Sequence, residues 1–434
     1  MSTQSLEAIA SCVSGYDPNA LPVAQAQEFI ARLVPRVDTV EVLALRSALG
    51  RVLARDVLSA INVPAHDNSA MDGYALRGAD LAAAGDTTLT AVGTGLAGQQ
   101  FSGAVSKDQC VRIMTGALMP GGMDTVVPQE FVRVDGTQVK VPAGVVRTGE
   151  NRRLAGEDLA LGEAALTAGR VLSPADLGLL ASLGQAEVPV FRRLRVAFFS
   201  TGDELRSVGE LLPAGCVYDS NRYTLWGMLQ RLGVDVVDMG VIRDEPGALE
   251  AAFRAAARDA DAVITSGGVS VGEADHTKQV MKRMGDVLFW RIAMRPGRPM
   301  AIGRVGGLAV APGEAPRQAI LFGLPGNPVA VMVTFYAFVR DALLAMSGAT
   351  PRPLPMLRAA SRTTLRKKPG RTEYQRGIVS RTNDGQWAVE ITGAQGSGIL
   401  RSMSQANGLV VLHHDQGDVQ AGDLVDVLPF DGLI

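Results

Sequence analysis

Apolar positions along this 434-residue chain change their spacing several times, and the changes divide it into parts. Over residues 22–54, Phe29, Leu33, Val40 and Leu43 fall at helical intervals with a break at Pro35, which predicts a helical stretch opening a framework domain. Residues 61–151 switch to short β-rich runs punctuated by glycine. In FVRV-DG-TQVKV, Asp135 and Gly136 are suited to the positive φ angles of a tight hairpin, so this segment is expected to be an inserted β-rich domain. At Ser173 the run SPADLGLLASLG supplies an N-cap serine, a proline at the first helical position and a closing glycine. Residues 152–190 are therefore expected to rejoin 20–60 in a discontinuous N-terminal framework domain.

Between 191 and 348 the pattern alternates. LRVAFFS, VDVVDMGVI, DAVITSGG and QAILFG read as strands, and segments beginning near Asp219, Asp244, His276 and Asn327 read as helices. Such alternation predicts a mostly parallel, doubly wound α/β domain covered on both faces. After Thr350 the helical spacing stops, and short strands with turns such as Asn383-Asp384-Gly385 predict a C-terminal β domain over 349–434. The expected fold class is α/β multidomain: that α/β domain, a helical framework region, the inserted β domain and the C-terminal β domain. Trp226 and Met228 are expected in the core of a helix, and His413 and His414 on opposite faces of a strand.

Charge and cysteine usage narrow the partners. Forty-two basic against 44 acidic residues give no general attraction to nucleic acid or to an anionic membrane, so any anion site must be local. Cys12, Cys110 and Cys216 are far apart and the four histidines lack metal-ligand spacing, which fits a reducing, cytoplasmic setting without structural zinc. The N-terminus has no basic start leading into an apolar run, and VAVMVTFYAFV is too short to span a bilayer; neither export nor membrane insertion is expected.

In open α/β sheets ligands lie beyond the carboxyl ends of strands, where this chain places STGDEL, TSGGVSVGEAD and GLPGNPVA; the three loops are expected to converge on one cleft. Gly267 and Gly268 suit close approach of a phosphate-like anion to the backbone; read alone, they are equally a glycine turn with Asp275 as helix cap. Asn327 and Pro328 form a helix start that is either structural or anion-binding. Asp203, Glu204 and Asp275 would repel one another in a shared cleft, and a hard divalent cation such as Mg²⁺ would relieve this; a solvated acidic loop is the plain alternative. PAHDNSAMDGYALRG gathers Asp67, Asn68, Ser69, Asp72 and Tyr74 in an irregular stretch suited to a polar ligand wall or to Asx turns alone. In MRPGRP, Arg295 and Arg298 flank a Pro-Gly turn, as an oxyanion clamp or as two solvated arginines. No GxxxxGK[ST] P-loop is present, so a P-loop ATPase loses support.

Taken in order, PAHDNSAMDGYA, MTGA, GEDL, STGDEL, YDSN, SGGVSVGEAD, RPGRP and GLPGNPVA resemble the molybdopterin molybdenumtransferase family (MoeA, and the E domain of gephyrin), from about residue 22 to the C-terminus. The resemblance implies insertion of molybdate into adenylyl-molybdopterin with release of AMP, assisted by Mg²⁺, in an elongated homodimer whose cleft lies between subunits. It implies Asp67, Thr115, Asp158, Glu204 and Asp275 as active-site polar residues, with Glu204 and Asp275 metal-associated. Gly267, Gly268, Ser270, Pro325 and Asn327 would line the pterin phosphate or nucleotide pocket, with Ser69, Arg295 and Arg298 also toward substrate. The family commonly carries lysines where this chain has Arg295 and Arg298, so a planar fork replaces a compact ammonium. A molybdopterin adenylyltransferase and a molybdoenzyme or cofactor carrier are the partners such a role implies. The alternatives are adenylylation of molybdopterin itself, though that family more typically shows GGTG, and a non-catalytic, gephyrin-like scaffold.

Overall fold

The computed structural model describes residues 5–269, 276–306 and 317–430. The chain forms two compact units, one from residues 42–49 and 55–189, the other from 1–41, 50–54 and 190–434.

The first of these is built on a six-stranded sheet of β1 (Gly73–Leu76), β2 (Thr87–Gly95), β3 (Gln109–Ile113), β4 (Thr125–Pro128), β5 (Arg133–Asp135) and β6 (Gln138–Val141), in the order β4-β1-β3-β2-β6-β5. Alternation sends Tyr74, Leu76 and Cys110 to one core and Ala75 and Val111 to another, so both faces are covered. The β5–β6 hairpin pairs Asp135 with Gln138, leaving Gly136 and Thr137 as its two-residue loop; only Gly136 takes positive φ, at 59°. In the helix Pro174–Ser182, Ser173 and Asp176 exchange hydrogen bonds in a capping box.

In the second unit, strands β7 (Arg195–Thr201), β8 (Asp235–Ile242), β9 (Ala262–Ser266), β10 (Gly285–Arg291), β11 (Pro299–Gly306) and β12 (Gln318–Leu324) lie in the order β8-β7-β9-β12-β11-β10. The first four are parallel; β11 and β10 extend the sheet antiparallel. Helices α1 (Ser220–Arg231) and α4 (Pro328–Thr334) pack with Phe198, Leu225, Phe322 and Val331 on one face. Helices α2 (Pro246–Asp259) and α3 (His276–Met284) pack with Phe199, Phe253 and Val280 on the other. The alternation of Val196 and Phe198 with Ala197 and Phe199 along β7 supplies apolar residues to both cores, as a doubly covered strand requires.

Past α4 the helical path runs on through a π-helical turn, Phe335–Val339, to Met346. This 19-residue stretch is apolar enough and long enough to cross a bilayer, but most of it is buried inside the protein as core. Five further strands close into a barrel: β13 (Leu357–Ser361), β14 (Thr372–Arg381), β15 (Trp387–Ile391), β16 (Gly408–Leu412) and β17 (Leu424–Pro429), in the cyclic order β14-β15-β13-β17-β16-β14. The fold class is thus the α/β multidomain class expected from the sequence, with the C-terminal strands closed on themselves.

Three local expectations are corrected. The helix near residue 22 spans only Val23–Leu33; beyond Pro35, Val40–Ala44 is a strand, because V-E-V-L-A alternates with β-branched residues. Trp226 is 49% exposed, while Met228 is buried on the opposite side of α1. His413 and His414 lie in the turn after β16 and not on a strand, and His413 Nε2 sits 2.7 Å from Asp426.

Candidate functional site

The carboxyl ends of β7, β9 and β12 open into a pocket of about 1060 Å³, lined by Glu204, Gly267, Gly268, Arg295, Arg298, Pro325 and Asn327 among others. The three strand-end loops and the arginine turn therefore share one cavity. Two of the loops meet directly: the Gly267 N–H donates to Leu324 O at 3.1 Å.

That bond revises the reading of the glycine pair, because the Gly267 amide is already taken. Gly267 and Gly268 adopt φ of 96° and 67°, and an added Cβ would lie 2.6 Å from Thr201 O at the first and 2.5 Å from the Thr277 side chain at the second. Both positions demand glycine for backbone geometry and packing alone. Gly326 differs: its φ is not positive and the nearest atom to an added Cβ would be Gly267 Cα at 3.8 Å, so here the missing side chain leaves the approach to the pocket open.

Asn327 does not cap α4 through its side chain. Its Nδ2 donates to Ser397 Oγ at 3.0 Å, and the Val329 N–H donates to Ser397 O at 3.1 Å. Ser397 belongs to the barrel loop 394–397, whose Gln395, Gly396 and Ser397 form a wall of the pocket. Arg376 holds that loop. Its fully buried guanidinium donates to the carbonyls of Ala394, Gln395 and Gly396 and to Ser402 Oγ, at 2.9–3.2 Å. Burial and the neighbouring Arg295 charge lower its affinity for a proton. The arginine turn is joined to the same barrel, since Met294–Arg295 pairs with Thr372 and Glu373 of β14.

Carboxylates line the same pocket. Glu204 folds its carboxylate back over Gly202, while Asp244, also lining the pocket, accepts from Thr277 Oγ1 at 3.1 Å. Among the described residues there is no group of three or more histidine, cysteine or acidic side chains arranged to hold a metal. Glu204 and Asp244 both line the pocket, and carboxylate oxygen is the donor type that Mg²⁺ takes in small number beside water and phosphate. Ser270, Glu273 and Asp275, the last expected beside Glu204, lie outside the described residues. Lys278 places its ammonium 5.8 Å above the Phe289 ring.

The remaining expected site residues are in the other unit. Asp67 accepts from the Ala155 N–H at 2.8 Å and lies 3.6 Å from the Arg152 guanidinium. Thr115 donates its N–H and its hydroxyl to Asp72, at 2.7 and 2.8 Å, which holds the Asp72 carboxyl below its usual range. Asp158 is exposed, its N–H bonded to Val63 O. Ser69 is fully buried, and its hydroxyl bonds within its own loop to Met71 O at 2.6 Å.

Sequence reasoning passes over Asn221, Asp244 and the barrel loop as ligand-facing elements. The first two read only as helix-start chemistry, and the loop's signal is the small-residue run AQGSG between strands.

Three family models match the chain in succession: the MoeA N-terminal region (domain I and II) over 21–184, a probable molybdopterin binding domain over 197–345, and the MoeA C-terminal region (domain IV) over 358–430. The chain is 40% identical over 415 residues to a molybdopterin molybdenumtransferase of Haemophilus influenzae, covering 95% of this chain and 100% of that relative. It is 36% identical over 414 residues to the protein of the same name in Nostoc sp., covering 94% and 93%. A crystal structure of the molybdopterin biosynthesis moeA protein from Pyrococcus horikoshii OT3 superposes with a TM-score of 0.79 at 26% identity, covering 94% of this chain and 99% of that one.

Proposed function

The chain belongs to the molybdopterin molybdenumtransferase (MoeA) family, and from that premise we propose that it inserts molybdate into adenylyl-molybdopterin and releases AMP. The observation carrying this reading is that Arg295 and Arg298 line one pocket together with Glu204, Asp244 and the strand-end loops. A dianionic oxyanion and a phosphate-linked nucleotide both need cationic, directional donors, and two guanidinium groups beside a turn supply them.

Within that pocket Arg295 and Arg298 hold molybdate and offset its charge as the dithiolene sulfurs displace oxygen ligands. Gly326 leaves room for the phosphate link, and the barrel loop fixed by Arg376 bounds the far side. The chemistry requires no protein nucleophile, only positioning and charge stabilisation. Glu204 and Asp244, with Asp275 from outside the described residues, would hold Mg²⁺, which when bound polarises the phosphate and eases departure of AMP.

The exposed apolar side chains Val208, Leu211, Leu212, Tyr223 and Trp226 support a homodimer in this reading. The three unpaired cysteines fit a cytoplasmic setting. A molybdopterin adenylyltransferase upstream and a molybdoenzyme or cofactor carrier downstream are its chemical neighbours. The direct test of the pocket is Arg295→Ala with Arg298→Ala: the KM for molybdate should rise at least about tenfold, as loss of charge-assisted hydrogen bonds implies. An unchanged KM removes the arginines from the site. Mg²⁺ titration of Glu204→Gln should show a raised metal requirement, and a wild-type protein indifferent to Mg²⁺ and chelator would contradict the metal's role.

A further inference from the structure

Asn221, in the first turn of α1, is 7% exposed and lies in the pocket wall. Its Nδ2 donates in two directions, to Ser266 Oγ at 2.8 Å and to Gly326 O at 2.7 Å. Ser266 ends β9 immediately before the glycine pair, and Gly326 sits in the loop after β12. One side chain therefore bridges two of the loops that face the ligand. Its orientation is determined by chemistry: the Gly326 carbonyl can only accept, so the amide nitrogen must face it. The same orientation leaves Asn221 Oδ1 buried without a hydrogen-bond partner. A buried acceptor without a donor is unfavourable, so the amide is poorly suited to a purely stabilising role.

We propose that Asn221 is a positioning residue for the transfer reaction, setting the separation between the Ser266–Gly268 turn and the Pro325–Asn327 loop. The inference rests on the function proposed above. Removing the amide frees Gly326 from α1, so the two loops no longer keep one spacing around the phosphate link. Asn221→Asp keeps the shape but turns a carboxylate oxygen toward the Gly326 carbonyl and adds negative charge to an anion pocket, and it should be the more damaging change.

The test uses the full-length protein with Asn221→Ala, Asn221→Asp, Ser266→Ala and the Asn221→Ala/Ser266→Ala pair. Hydrogen exchange should speed up together in residues 266–269 and 325–329 of Asn221→Ala, and not in the barrel strands. The KM for adenylyl-molybdopterin should rise about tenfold, the size expected for one lost hydrogen-bonded tie, with a smaller change in kcat. The double variant should match Asn221→Ala alone, because Ser266 would act through the same bond. Unchanged exchange in the two loops overturns the bridge. Faster exchange with an unchanged KM in an otherwise active enzyme overturns its role in the reaction. If the wild type itself shows no turnover, the proposed function fails and with it the positioning role, while exchange alone still decides whether the bridge exists.

Discussion

Replacing Arg376 by methionine keeps the apolar stem and deletes a buried guanidinium whose hydrogen-bond acceptors include no carboxylate. Four hydrogen bonds disappear, two near 2.9 Å and two at the longer 3.2 Å. Each bond from a charged donor contributes about 1.5–3 kcal/mol, but the cost of burying an unpaired guanidinium is removed as well, leaving a net loss of about 2–4 kcal/mol. That loss should be local. Ala394 and Gly396 are exposed, so their carbonyls can turn to water once the guanidinium is gone, and the loop would open without unfolding the barrel. At about 1.4 kcal/mol per tenfold, the amides tied to the loop should exchange roughly 30- to 1000-fold faster. Those amides are Val329, which donates to Ser397 O; Arg376, which donates to Gln395 Oε1; and Ile399, which donates to Gly396 O. Arg376→Lys, with fewer donors on a shorter head group, should fall between wild type and methionine. Exchange in Arg376→Met that matches wild type at all three amides would refute the reasoning, as would uniform acceleration throughout the barrel.

Gly268→Ala combines positive φ with a Cβ 2.5 Å from Thr277 and should destabilise the α/β domain by about 2–4 kcal/mol, read as a lower thermal midpoint. Gly326→Ala makes only an ordinary 3.8 Å contact with Gly267 Cα, so its midpoint should match wild type while AMP binding weakens; equal midpoints for the two variants would show that backbone geometry does not separate them. Burial pushes the Asp261 carboxyl up, but the bidentate Arg192 guanidinium and the Arg195 N–H outweigh it and hold its pKa below the usual value. A depressed native pKa adds stability above the unfolded value near ~4 and loses it as pH falls, so the advantage of wild type over Asp261→Asn should be full at neutral pH and shrink below about pH 4. A gap that stays constant on acidification would contradict that pairing. Cys110 is buried with its thiol pushed up to about 12, so native protein treated with iodoacetamide should be labelled at exposed Cys12 and not at Cys110; prompt labelling of Cys110 would show that its core opens readily.

The strand-end loops are legible in the sequence because glycine, proline and asparagine interrupt strongly apolar runs at the places where parallel strands must turn. The chemistry of those residues is less legible. Gly267 and Gly268 read as room for an anion, yet Thr201 and Thr277 already require glycine there, contacts that only the fold creates. Asn327 reads as a helix cap, but a barrel residue 70 positions later takes its side chain. Tertiary pairing, not local pattern, brings loop 394–397 and Arg376 to the pocket. The antiparallel strands β10 and β11 escape the pattern because β10 follows α3 directly, with Gly285 alone marking the change from helix to strand. Trp226 is misplaced by the pattern because large side chains occur on both sides of α1, where Leu225, Met228 and Leu229 fill the core and leave the indole outward.

The central claim is tested most directly by supplying the purified protein with adenylyl-molybdopterin and Mg²⁺, with and without molybdate, and following AMP together with molybdenum bound to pterin. The account predicts AMP release that depends on molybdate and equals molybdenum incorporated, mole for mole. AMP released at the same rate without molybdate, or pyrophosphate formed from molybdopterin and ATP in its place, would contradict it.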